Sequence, residues 1–517
     1  MTALLSAPAV GGFMPEAMRK SRRLHLGIVV YIFGVMVPIG FPTGALQLNV
    51  MRLVLLILFA PMLMRLLSGK CGRILPVDIL FVLHMVWAAV ALGYNNPNLV
   101  VANVGSAALE FLGGYLLARV YIRTPEDFLA LSKGLALAVG LTLPLALYET
   151  VTDRSLVIEF LQRIPGIFTV HEVMGYERRM GLARVQLGFP HPILFGVFSS
   201  MVIPLALIAL RGAVSNTRRY LTAAAVAICC FTSLSSGALL AIVLQLGLLT
   251  WSLMMARFEA RWKILVGIFA LMYVAIDMAS NRAPLQVFMS YATFSPHNAY
   301  IRQLIFEWGM VNVWANPWFG IGLNDWVRPG FLGGSADNFW LVMAMRYGFP
   351  GVLTLMAGWL WLLWKVMRAD LGTNASLNNM RLAWVFSMIA LSFSLATVHV
   401  WTATYSVVFF FVGSGVWMIG YRPREDDAGQ PAEAAPQRRN IFARDLRGTG
   451  FARPASAASP VVALATAPAF SRFAVRPAPQ PAAPESHDPG ATGTLFARPR
   501  SSLANDRSPD GPSFRRR

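Results

Sequence analysis

The sequence predicts an all-α integral membrane protein of about twelve transmembrane helices followed by a disordered C-terminal tail. Three observations carry that class. Of 517 residues, 56% are hydrophobic and 13% charged, with a mean hydropathy of +0.55, whereas ordinary soluble domains carry about 45–50% apolar and about 25% charged residues. Charge is also segregated: residues 422–517 hold 15 Arg and 9 Asp or Glu, which leaves 45 of the 69 charged groups for the first 421 residues. Finally, the apolar residues are gathered into runs of membrane-spanning length.

In chain order, residues 1–23 form a cytoplasmic segment. Its basic cluster, Arg19, Lys20, Arg22 and Arg23, precedes an apolar stretch with no small-residue cleavage site behind it, so it is not a cleavable signal. The polytopic domain, 24–421, offers apolar runs at about 24–40, 53–67, 77–94, 100–118, 128–149, 191–210, 220–234, 235–255, 263–280, 351–367, 381–399 and 403–421. Residues 220–255 are one unbroken run. As a single helix it would be about 54 Å long at 1.5 Å per residue, so it divides at Ser235-Ser236-Gly237. Loop charge agrees with that division. With the N-terminus inside, the connections near 70, 120, 215, 260 and 370 are cytoplasmic and carry thirteen Lys or Arg, while the short outer connections carry one, Arg52. Two outer loops are long, 150–190 and 281–350, and hold the ordered polar chemistry available to the outside. The segment 422–517 is rich in Ala, Pro and Arg and lacks a helical period, so it reads as a disordered cytoplasmic tail. Phe-Ala-Arg units recur in it at Phe442, Phe451 and Phe496, with a looser copy at Phe473. Its net positive charge suits anionic headgroups or, alternatively, the repeats suit docking to a cytosolic partner.

Three cysteines, Cys71, Cys229 and Cys230, lie in or beside apolar runs, two of them adjacent, which excludes a disulfide framework and a spaced metal-ligand set. No phosphate-cradling glycine loop, HExxH or Gly-x-Ser-x-Gly is present. The first outer loop ends on Arg178, Arg179, Arg184, Gly188, Pro190, His191 and Pro192, where glycine and proline turn the chain into a new helix and hold Arg184 and His191 near a helix N-terminus suited to an anion. The bland alternative is arginine anchoring and a capping histidine. The second loop carries Tyr300 to Trp308 with Arg302, then Asn316 to Gly322, then Ser335, Asp337 and Asn338, then Arg346 to Gly351. Asp337 reads either as a helix N-cap or as a functional carboxylate, ahead of an amphipathic segment lying on the membrane. Within the spans, Glu110 and Asp277 are ionisable groups of the kind that mark function in a bilayer, although Glu110 has a candidate partner in His84.

In this order Gly188–Pro192, Asn316–Gly322 and Asp337–Gly351, with the Ser-x-Gly break at 235–237, resemble the bacterial O-antigen ligase and polysaccharide polymerase superfamily over roughly residues 100–400. The resemblance implies a glycosyltransferase of GT-C-type architecture in the bacterial inner membrane, with both termini cytoplasmic and neither metal, nucleotide sugar nor other cofactor. Its substrates would be a lipid-linked oligosaccharide donor, carried on undecaprenyl diphosphate, and a glycan acceptor. A chain-length regulator and a flippase are the implied partners; nucleic acid is not. Carried over to this chain, Arg184 and Arg302 would grip the diphosphate and Asp337 would orient or deprotonate the acceptor. His191, Asn338, Arg346 and Arg179 complete the candidate substrate-binding set. Two departures stand out: many members have His where this chain has Asp337, and Ser-Arg-Gly where this chain has Ser235-Ser236-Gly237, which removes a cation at the helix break.

The expected activity is a polymerase joining lipid-linked repeat units into an exopolysaccharide or O-antigen. A ligase transferring finished polymer to lipid A-core uses the same donor and is the alternative. A twelve-span transporter would show a long central cytoplasmic loop and two similar halves; here the link after the sixth run is only about 211–219.

Overall fold

Length and apolarity together decide which helices can cross a bilayer. The computed structural model describes residues 23–41, 48–172, 175–280 and 296–422, with side chains described from residue 300 in the last stretch. Of the expected cytoplasmic segment 1–23 and disordered tail 422–517, all but Arg23 and Arg422 lie outside the described residues. In chain order the helices are α1 (Leu26–Met36), α2 (Val50–Leu67), α3 (Pro76–Asn95), α4 (Val100–Tyr121), α5 (Pro125–Leu141), α6 (Leu143–Thr152), α7 (Leu156–Gln162), α8 (Pro192–Pro204), α9 (Asn216–Thr232), α10 (Ser236–Met254), α11 (Arg261–Ala279), α12 (Pro296–Ala315), α13 (Phe339–Met367), α14 (Ala375–Leu395), α15 (Thr402–Gly413) and α16 (Trp417–Gly420). A helix occupies each of the twelve apolar runs. Among the described residues, nine helical stretches are long and apolar enough to cross a membrane. The runs outside that set are α1, at 11 residues, α9, at 17 residues, and α14, whose first half carries Asn378, Asn379 and Arg381.

The helical class holds with one addition, a short antiparallel sheet of β1 (Ile39–Phe41), β2 (Leu48–Asn49) and β3 (Phe168–Thr169), ordered β2-β1-β3. It pairs Gly40 with Asn49 and with Phe168, and so ties the first long loop to the α1–α2 connection. Three strands this short carry no amphipathic period that sequence could reveal.

Close helix packing rests on small residues, as it must where lipid offers no hydrophobic drive between helices. A Cβ on Gly114 would meet the Ser406 carbonyl at 2.5 Å, and one on Gly413 would strike the Tyr115 carbonyl. These contacts press α4 against α15, running in the same direction. The buried carboxylate of Glu110 on α4 pairs with Arg52 on α2, with Nη2 and Nε at 2.7 and 2.8 Å from Oε1. His84 is therefore not its partner: the imidazole Nδ1 lies 2.8 Å from the Gly351 carbonyl on α13. Asp277 is exposed near the end of α11, a helix whose core window contributes nothing to the protein interior.

The break proposed in 220–255 is present. α9 ends at Thr232, Leu234 turns the chain with φ +45°, and Ser235 precedes α10. The tenth run begins earlier than its apolarity indicates, because α13 continues from Phe339 through a kink at Gly348 (φ +65°, ψ −173°) and Pro350. Residues 339–347 do not lie on the membrane surface. Phe339, Leu341, Val342, Met343, Ala344, Met345 and Tyr347 are all buried, leaving no lipid-facing apolar stripe.

Candidate functional site

Pro350 has no N–H, so the Arg346 carbonyl loses its helical donor, and Phe349, which would serve Met345, turns away at the kink. Each displaced group is taken by the loop after α12. The amides of Ile321 and Gly322 donate to the Met345 and Arg346 carbonyls at 2.7 and 3.1 Å, and the Phe349 amide donates to the Pro317 carbonyl at 2.7 Å. Gly320 (φ +63°) and Gly322 (φ +64°) give the loop its left-handed turns. Asn95 and Asn96 at the end of α3 hold it from the other side, Asn95 donating to the Phe319 and Gly320 carbonyls at 3.2 Å and Asn96 accepting from the Leu323 amide at 2.8 Å. The Asn316–Gly322 motif is thus a splint for broken helix, of the sort a membrane interior requires. It places Arg346 and the start of α13 at the wall of a cavity.

That cavity has a volume of about 610 Å³, and its walls include His191, Asp337, Arg346, His399, Trp326 and Trp401. Three of the expected residues, His191, Asp337 and Arg346, therefore share one space. Asp337 is half-buried and accepts a hydrogen bond from the Ser335 hydroxyl at 3.2 Å. It is not the helix cap. Asn338 is, its side-chain oxygen accepting from the Leu341 amide at 3.1 Å, so Asn338 positions α13 and is absent from the cavity wall. His191 does both things expected of it: Nδ1 accepts from the Ile193 amide at 3.0 Å and caps α8, while the ring faces the cavity beside Tyr176, 4.6 Å away between centroids. Capping closes the α8 N-terminus to an anion.

The other arginines gather beside the cavity, at the α9–α10 break. Arg179 donates to the Leu234 carbonyl at 2.7 Å, the Arg184 Nε contacts the Ser233 carbonyl at 3.4 Å, and Arg302 donates to the Ser236 hydroxyl at 3.3 Å. The first outer loop and α12 thus meet the helix break within four consecutive residues, 233–236. Ser236, at the centre of the Ser-x-Gly segment, has a guanidinium from α12 against it. Arg184 is 9% exposed, stacks over Tyr176 at 5.7 Å, and leaves its buried Nη2 without a hydrogen-bond partner. Burial and the neighbouring Arg179 pull its pKa down to about 10. Burial likewise lowers Arg302, partly offset by the charge of Asp337, and lowers Arg179, partly offset by Glu177. Each guanidinium stays charged near neutrality, in a place where charge is costly unless an anion shares it. The N-terminus of α10 adds its dipole there, with no side-chain cap on Ser235.

Local folding explains the convergence. Glu149 at the end of α6 accepts from the Gln186 and Leu187 amides, and Val185 donates to the Thr232 carbonyl at 3.0 Å, so residues 183–187 are drawn across the end of α9. Leu187 (φ +51°) makes the turn, and Gly188 is required beside it because a Cβ would strike the Met36 carbonyl.

His399 is the residue that sequence alone missed. It lies in the α14–α15 connection among Val398, Val400 and Trp401, an apolar run that reads as span. Its buried Nδ1 has no partner, and burial with Arg346 nearby lowers its pKa to about 3; burial with Arg184 and Arg179 nearby lowers that of His191 to about 4. Both rings are neutral at pH 7. Among the described residues, no cluster of His, Cys, Asp or Glu is arranged to hold a metal ion. No protein-family model matches the chain, and no curated protein sequence matches it.

Proposed function

We propose that this protein is an integral membrane glycosyltransferase of the polysaccharide polymerase type, with twelve crossings, a GT-C-type architecture and both termini cytoplasmic. It takes an oligosaccharide repeat from undecaprenyl diphosphate and passes it to a hydroxyl of a second glycan at the outer face of the bacterial inner membrane. The observation that carries this reading is the arginine cluster at the α9–α10 break, in which Arg184 presents a buried Nη2 with nothing to bond. Negative charge builds on the diphosphate as the glycosidic bond to it breaks. Guanidiniums already held by the Leu234 and Ser233 carbonyls and the Ser236 hydroxyl stabilise that charge with little reorganisation. In this role Arg184 and Arg302 hold the diphosphate with Arg179 beside them, and the departing phosphate oxygen keeps the bond electrons.

The cavity next to the cluster supplies the acceptor side. Asp337 lines it, and its charge acts on Arg302, so a hydroxyl seated there lies between a carboxylate and the anion site. Asp337 orients that hydroxyl and takes its proton as the new bond forms at the anomeric carbon. Arg346 and His191 bind sugar hydroxyls, and Trp326 and Trp401 give flat faces for sugar rings.

Arg184→Ala and Arg302→Ala are expected to abolish polymer while protein levels in the membrane persist. The purified variants should bind a short-chain prenyl diphosphate roughly ten- to a hundredfold more weakly, the loss expected for charged hydrogen bonds. A near-normal polysaccharide length profile in either variant removes the assignment.

A further inference from the structure

The α15–α16 pair leads away from the cavity. Trp401, at its start, lines the site described above; its far end, 19 residues on or about 28 Å of helix, lines a second recess of about 420 Å³. Four arginines surround this recess, Arg73, Arg119, Arg123 and Arg422, above a lining that includes Leu75, Ile122, Val416 and Ile419. We propose that it binds the phosphate headgroup of an anionic glycerophospholipid at the membrane face opposite the arginine cluster. The inference rests on the chain crossing a membrane, and not on any glycosyl transfer.

The recess is built before any ligand arrives. Arg119 is buried and held in place: it donates to the Cys71 and Arg73 carbonyls at 2.9 and 3.0 Å, and its Nε lies 3.4 Å from Asp78 as an ion pair. These bonds fix the turn through Gly72 (φ +87°) and set Arg73 at the rim. Arg123 donates to the Lys70 carbonyl at 2.8 Å and forms the opposing edge. Asp78 is consumed within the protein by the Tyr115 hydroxyl, the Leu75 amide and Arg119, and Asp127 accepts from the Arg123 and Thr124 amides at the start of α5. Among the described residues, Arg73, Arg123 and Arg422 form no ion pair with a carboxylate. Among the described residues, three guanidiniums thus line one recess without a carboxylate to pair with.

The apolar lining identifies the class of anion. A soluble phosphate gains nothing from Leu75, Ile122, Val416 and Ile419, whereas a lipid sets its phosphate among the arginines and its glycerol and first methylenes on that surface. Trp417 and Tyr421 edge the same recess, and such amphipathic rings favour the headgroup level. Basic recesses between membrane helices recognise anionic headgroups in this way.

The test uses the full-length protein, delipidated in neutral detergent and titrated with phosphatidylglycerol or phosphatidylcholine in mixed micelles. Binding is read by native mass spectrometry and by the apparent melting temperature. Phosphatidylglycerol should remain bound and raise the melting temperature, and phosphatidylcholine should do neither. Arg73→Gln/Arg123→Gln should weaken phosphatidylglycerol on the order of tenfold, whereas Arg218→Gln/Arg257→Gln, at exposed arginines outside the recess, should not. Arg73→Gln alone serves if the double variant is unstable, because Arg73 is exposed and, among the described residues, its side chain holds no structural bond. Equal stabilisation by both lipids, or undiminished binding in the Arg73 variants, overturns the proposal. So does displacement of the lipid by millimolar inorganic phosphate, which marks a site for soluble anions. Tighter lipid binding after Glu425→Gln/Asp426→Asn/Asp427→Asn also overturns it, by showing that the chain's own acidic segment fills the recess.

Discussion

Three side chains, Arg184, Arg302 and His399, differ in how visible they are before folding. Arginine next to a turn of glycine and proline is a recognisable anion signal, and Arg184 stands buried beside the α9–α10 break. Its partner group is not the α8 N-terminus, which His191 caps, but the α9–α10 break. His399 gives no local signal, since its neighbours are as apolar as those of a helix interior. Burial lowers the pKa of this ring to about 3, below the value of about 6.5 expected of an unfolded chain. The unfolded state therefore takes up a proton that the folded state refuses, and stability present above pH 6.5 is lost progressively as pH falls toward 3. The charged and titratable groups sharing its cavity are Arg346, Asp337, Asp325 and His191. In detergent, the apparent melting temperature of the wild type should fall more between pH 7 and pH 5 than that of His399→Gln. Equal slopes would show that the ring titrates normally.

At the scale of elements, the kink in α13 carries the most consequence. Gly348 holds a backbone conformation open essentially to glycine alone, and a Cβ would strike the Trp318 carbonyl. Gly348→Ala should cost about 1–3 kcal/mol in strain and release the Asn316–Gly322 splint, moving Arg346. The expected result is a lower melting temperature and loss of polymer with all cavity side chains intact. Retention of both would mean that the splint is dispensable. The glycines and prolines of this region are plain in the sequence, but they read as breakers that delay the start of a helix. Only the pairing of the Ile321, Gly322 and Phe349 amides with partners far along the chain shows that the helix continues through them. The α9–α10 break was easier to place because an uninterrupted helix would overrun the bilayer.

At the scale of the whole molecule, the α15–α16 pair has a recess at each end. Arg119, Arg73, Arg123 and Tyr421 mark one end of the α4 and α15–α16 packing, and Trp401, His399 and Asp337 mark the other. If the end with Arg73, Arg119 and Arg123 faces the cytosol, reporter tags inserted at Ser335 and at Gln430 should lie on opposite sides of the membrane. Finding both in the cytosol would place the candidate site on the wrong face for a lipid-linked donor delivered outside.

The helical membrane class, the positions of the apolar runs and the break between α9 and α10 were determined by the sequence itself. Each depends on local quantities, namely the length of an apolar run, its interruption by small or polar residues, and the charge of the adjoining loops. The tertiary structure alone decided which polar groups meet. Arg302 reaches Ser236 across 66 positions, Arg184 reaches Ser233 across 49, and Glu110 pairs with Arg52 rather than His84. Helix packing makes those choices through close contacts such as Gly114 against Ser406, and no periodicity along one segment records what the neighbouring segment will present.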